Sequence, residues 1–205
     1  MLSVPKEKLQ RCRISILDAI DPLLVSRVAR SIGMLPEPLV IDCGIKNMGF
    51  EDLGPSREYY PNHGYYVDNR LVLNSQLIDD STLYRDSQGK ELEAFDHILF
   101  HELGHGWDDK QGELSLSPEW LSLSGWSETP EKGKAQIIIK DKEEGKTKAG
   151  EWYYDPDAKF VRYYARTNPW DDFADTFAFK VAGLEEFIPE EKNKYFEEKL
   201  KGYPW

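Results

Sequence analysis

The residues best equipped for chemistry are the run His101-Glu102-Leu103-Gly104-His105. The spacing H-E-x-x-H combines a zinc site with its catalytic base. On a helix, residues four apart lie one above the other on a single face, so His101 and His105 can reach the same ion. Glu102 is rotated by about 100° from His101, which places it beside the open coordination position rather than in it. From there a carboxylate can accept a proton from water that the ion acidifies. Two neutral imidazoles and one further protein ligand leave zinc a single open site, the arrangement a hydrolase needs.

This chemistry requires a helix, and the flanking residues favour one. Glu91 to Phe100 supplies helix formers, and Phe95, Ile98, Leu99 and Leu103 make an apolar stripe at helical intervals. Gly112 lies just past the expected end, as a stop signal should. His97 extends the histidine stripe one turn back. The rise from 97 to 105 is about 12 Å, too far for one ion with bonds of about 2.1 Å. His97 is therefore expected at the rim or surface, and His63, in the turn-like Pro61-Asn62-His63-Gly64, in a loop.

The metzincin continuation would place a glycine at 108 and a histidine at 111, where this chain has Asp108 and Gln111. That class is excluded, leaving a carboxylate on a second helix as the third ligand. Asn168 to Phe179 offers one: Asn168 is a good N-cap, Pro169 suits the first turn, and Asp171 and Asp175 share a face. Asp171, Asp172 and Asp175 would equally complement the helix dipole, so the residues alone leave the choice open.

Tyr164-Ala165-Arg166-Thr167-Asn168, followed by Asp171-Asp172-Phe173-Ala174-Asp175, resembles the second motif of the anthrax lethal factor-like metallopeptidases. That family includes small clostridial proline-specific endopeptidases. Its first motif is similar to His101 through Asp109, trailing aspartates included. The resemblance implies a zincin-like α+β fold, with a small mixed sheet beside the active-site helix and a second metal-ligand helix. It assigns the metal carboxylate to Asp171, with Asp175 the alternative and otherwise the acid that orients a histidine. It makes Tyr164, rather than its neighbour Tyr163, the hydrogen-bond donor to the oxyanion. Outside the resemblance, Tyr164 reads as an ordinary strand or core tyrosine. The relatives carry glutamates at both acid positions. Aspartate is one methylene shorter, so here the second helix must approach the ion more closely.

At 205 residues, with 40% hydrophobic and 13% aromatic content, residues 1–205 read as a single catalytic domain with a real core. The formal net charge of −11 repels phosphate backbones and anionic membrane surfaces, so nucleic acid and membrane are not expected partners. The expected partner is a peptide or protein substrate; the oligomeric state is left open. Cys12 and Cys43 lack C-x-x-C pairing and read as buried thiols. No secretory signal or apolar span is visible, which makes a cytoplasmic location the default expectation. The relatives' extracellular habit would then require another export route or a removed leader.

Along the chain, residues 6–33 read as amphipathic helix interrupted at Asp21-Pro22, and Leu39 to Cys43 as a short strand. Residues 64–74 read as two strands joined at Asp68-Asn69; a zincin-like fold would make the strand holding Val72 a candidate edge for an extended substrate, and the pair reads equally as a core hairpin. Trp120 and Trp126 suit either a cleft or the core. Residues 127–151 suggest a solvated excursion, 152–164 a hairpin, and 189–201 a terminal helix. The resulting expectation is a zinc endopeptidase using Glu102 and Tyr164. Two rival readings are a regulator-cleaving peptidase of the ImmA/IrrE kind and a non-catalytic zinc-binding module.

Overall fold

The computed structural model describes residues 4–17, 22–54, 63–75, 82–130, 133, 135–139 and 150–205. In chain order these form α1 (Val4–Arg11), β1 (Ser15–Ile16), α2 (Pro22–Gly33), α3 (Glu37–Asp42), β2 (Asn47–Glu51), β3 (Gly64–Val67) and β4 (Arg70–Asn74). Next come β5 (Thr82–Arg85), β6 (Glu91–Glu93), α4 (Ala94–Lys110), α5 (Pro118–Ser124), β7 (Trp126–Ser127), β8 (Ala135–Ile139) and β9 (Gly150–Tyr154). The chain continues through α6 (Pro169–Val181) to α7 (Glu190–Lys199). The architecture is α+β, with a small mixed sheet and several helices.

The main sheet has the order β1-β2-β4-β3, with β2 parallel to both β1 and β4, and β3 antiparallel to β4. The β3–β4 turn places Asp68 at φ 48° and Asn69 at φ 65°. Two consecutive positive φ values give the turn whose twist suits a two-residue hairpin, and Asp and Asn tolerate them better than most residues. The hairpin lies where the alternation placed it, but its edge is different. β4, which carries Val72, pairs on both sides, and β3 is the outer strand. The reason is the long-range pairing of β2 with β4, which no local pattern announces.

Leu39 to Cys43 is also corrected, since most of it lies in the helix α3. An apolar run this short fits a buried strand or a buried helix equally well. Pro36 and Pro38 decide it, because proline is tolerated at and just inside a helix start. Leu39, Val40 and Cys43 are buried while Ile41 and Asp42 face outward, which is helical spacing. The expected helix over 6–33 is broken earlier than Asp21-Pro22. α1 stops at Arg11, Arg13 adopts φ 58°, and β1 joins the sheet. Residues 18–21 lie outside the described residues.

α4 runs through the interior, with Phe95, Ile98, Leu99 and Leu103 buried as their spacing predicts. Its partner is α6, whose Phe173 and Phe177 stack on Trp107. Trp120 and Trp126 are both buried, so they fill the core rather than line a cleft. β9 pairs with β7 and β8, so the segment 152–164 is not a self-contained hairpin. The apolar island Ile137-Ile138-Ile139 of the expected excursion belongs to β8, whereas 131–132, 134 and 140–149 lie outside the described residues. Cys12 and Cys43 are buried free thiols. Among the described residues, no helix is long and apolar enough to cross a membrane.

Candidate metal centre

The centre lies where α4 faces α6, and its position follows from two local features. Asn168 caps α6, its side-chain oxygen accepting from the Asp171 backbone N–H at 2.7 Å. The Asn168 amide also donates to Asp171 Oδ2 at 2.7 Å, so the cap fixes the carboxylate and leaves Oδ1 turned towards α4. The second feature is Gly104, whose absent side chain lets the helices close. A Cβ there would lie 3.0 Å from Ala174 Cα and 3.2 Å from its carbonyl oxygen. This small-on-small contact brings α6 near enough for the short aspartate to reach. Gly104→Ala should push the helices apart at a net cost of about 1–3 kcal/mol, because the obstructing atoms are backbone. It should also weaken metal binding. Thermal unfolding and a zinc titration of the variant test both effects, and an unchanged affinity would show that the close approach is not needed.

His101 Nε2 and His105 Nε2 are 3.1 Å apart, and Asp171 Oδ1 lies 3.5 Å from the first and 3.4 Å from the second. Three acceptor atoms thus converge on one point. Two imidazole lone pairs cannot face each other at that distance without a proton or a cation between them. A tetrahedral ion with bonds of about 2.0–2.1 Å spaces its ligand atoms by about 3.3–3.4 Å, in the middle of the observed range. His101, His105 and Asp171 can therefore hold a metal ion.

Asp175 is not part of this triangle. Its Oδ1 accepts from His101 Nδ1 at 2.8 Å, so it touches the far side of the ring. An acceptor there keeps the proton on Nδ1 and turns the Nε2 lone pair towards an ion. Burial disfavours charge on His101, but Asp175 and Asp171 outweigh it and raise its pKa to about 10. A metal ion and a proton compete for such a ring nitrogen.

His97 corrects the expectation of a rim or surface position. It is fully buried, its ring edge-on to Phe179 and its Nε2 3.4 Å from Asp175 Oδ1. Burial lowers its pKa to about 4, so the ring is neutral. His63, just ahead of β3, is half-buried, and burial together with the nearby Arg162 lowers its pKa to about 4.

Glu102 is buried, and burial pushes its carboxyl up while the two histidines pull it down. Gly64 of β3 lies directly against it. A Cβ on Gly64 would be 3.3 Å from Glu102 Cγ and 2.7 Å from the Val72 carbonyl oxygen. The outer strand of the sheet therefore borders Glu102. Tyr164 sits in a short 3₁₀ turn before α6, its ring centre 6.0 Å from that of His101. Tyr163, the neighbour in sequence, is 83% exposed and points away. Asp171 first of all, then burial and Glu102, hold the Tyr164 hydroxyl in its protonated, donating form.

The remaining acids have structural roles. Asp172 is buried against Lys192 of α7, with bonds of 2.6 and 2.7 Å, and accepts from Trp126 Nε1 at 3.1 Å. Asp108 holds the turn after α4 by accepting from the Ser115 N–H and hydroxyl. Asp109 ties α4 to β3 through the Tyr66 hydroxyl at 2.8 Å. One member of the site has no sequence signal: Arg162, which binds both oxygens of Asp175. No protein-family model, curated protein or solved structure matches this chain, so its functional reading rests on this geometry and on the motifs.

Proposed function

We propose that the chain is a zinc-dependent endopeptidase of the lethal factor-like type, with a zincin-like arrangement of sheet and helices. The observation that carries this reading is the convergence of His101 Nε2, His105 Nε2 and Asp171 Oδ1 beside a buried glutamate that is not one of the three. Separations of 3.1 to 3.5 Å suit zinc's tetrahedron better than an octahedral ion, whose edges at similar bond lengths would be about 3.0 Å.

When bound, zinc would supply a Lewis acid that acidifies water and polarises the scissile carbonyl. Glu102 accepts the proton of the attacking water and returns it to the leaving amine. Tyr164, kept protonated by the surrounding acids, donates a hydrogen bond to the oxyanion. Asp175 fixes the ring of His101. β3 is the outermost strand of its sheet and borders Glu102, and an extended peptide would lie along it there.

The test is cleavage of a diverse peptide library by the zinc-loaded chain, read by mass spectrometry. Internal cleavage that stops on chelation and returns with zinc is the expected result. Full zinc occupancy with no cleavage would replace this proposal with a non-catalytic zinc module.

A further inference from the structure

Asp175 is fully buried, yet it accepts two parallel hydrogen bonds from a single guanidinium. Arg162 Nε donates to Oδ2 at 2.7 Å and Nη2 to Oδ1 at 2.8 Å. Oδ1 also takes the Nδ1–H of His101 at 2.8 Å. The same guanidinium carbon lies 4.9 Å from the centre of the Tyr164 ring, a cation–π contact. One side chain thus touches both the acid behind a metal-binding histidine and the tyrosine beside that histidine.

A buried carboxylate keeps its charge only if it is paired and hydrogen-bonded. Arg162 meets both conditions, since guanidinium does not lose its proton and its planar fork matches the two carboxylate oxygens. Two parallel bonds also fix the plane of the carboxylate, and with it the direction in which His101 is held. We propose that Arg162 is a positioning residue of the centre: its two parallel bonds hold the Asp175 carboxylate in plane behind His101 Nδ1, so that the ring presents Nε2 to the metal. Its contact with Tyr164 places the tyrosine ring against the same frame. The inference rests on the reading of His101 as a metal ligand.

The experiment is a double-mutant cycle on zinc affinity in the full chain, by competition with a chromogenic chelator. Arg162→Met should raise the zinc Kd about 10–100-fold, the usual loss when a partner that orients a ligand is removed. Arg162→Lys keeps the charge but cannot form both bonds, and should fall between wild type and Arg162→Met. In an Asp175→Asn background, Arg162→Met should add less than about threefold, because its effect runs through the residue already changed. A merely structural role would instead multiply the two losses in full. A zinc Kd within about twofold of wild type, or full multiplication, overturns the proposal. If Arg162→Met does not fold, Arg162→Lys and its double variant carry the same comparison. Failure of the wild-type chain itself to bind zinc overturns the metal-centre reading as well as this inference, and shows before any variant is made.

Discussion

Glu102→Ala should leave zinc bound and lower peptide cleavage by about 10²- to 10⁴-fold, the range over which a positioned general base contributes. The two consequences separate because Glu102 lies outside the triangle of ligand atoms. It lies against Gly64 of the outer strand and within electrostatic reach of both histidines. Removing the carboxylate deletes the proton acceptor and leaves His101, His105 and Asp171 in place. Glu102→Gln preserves shape and should be nearly as inactive, which separates loss of the base from loss of packing. Zinc content after dialysis and kcat/KM on one library-derived peptide measure both quantities. Cleavage at the wild-type rate by either variant would remove Glu102 from the mechanism.

Asp171→Ala should weaken zinc binding more than Asp175→Asn does, and this contrast tests which acid is the ligand. Asp171 turns Oδ1 to both Nε2 atoms, and its other oxygen is pinned by Asn168. Asp175 meets only the opposite edge of the His101 ring. Loss of a direct ligand should exceed about a hundredfold in Kd, whereas loss of an orienting partner costs about 10–100-fold. Asn168→Ala should move in the same direction as Asp171→Ala but less far, since it removes only the clamp on Oδ2 and the cap of α6. If Asp175→Asn proves the more damaging change, the two aspartates have exchanged roles.

Much of the site is legible in the sequence because helices repeat. The i, i+4 spacing of His101 and His105 and the Asn168-Pro169 start of α6 are local signals, and the structure places both faces opposite each other. Asp68-Asn69 likewise announces its hairpin. Features that depend on distant partners are not legible. His97 looks like a surface continuation of the histidine stripe until Asp175 and Phe179 close over it. The strand holding Val72 passes for an edge candidate until β2 pairs with its other side. Arg162 precedes the tyrosine motif with no pattern of its own, and only the fold brings it onto Asp175. Leu39 to Cys43 fails for a different reason: five apolar-rich residues carry too little periodicity to distinguish helix from strand. The short side chain of Asp171 has a structural counterpart in the Gly104–Ala174 contact, where the two helices approach closely.

Whether one ion is held by two histidines and Asp171 is read most directly from anomalous scattering at the zinc edge, on crystals of the zinc-loaded chain. The expected result is one zinc per chain, about 2.0–2.2 Å from His101 Nε2, His105 Nε2 and an Asp171 carboxylate oxygen. An anomalous peak bonded to Asp175, a peak elsewhere on the chain, or the absence of stoichiometric zinc would contradict it.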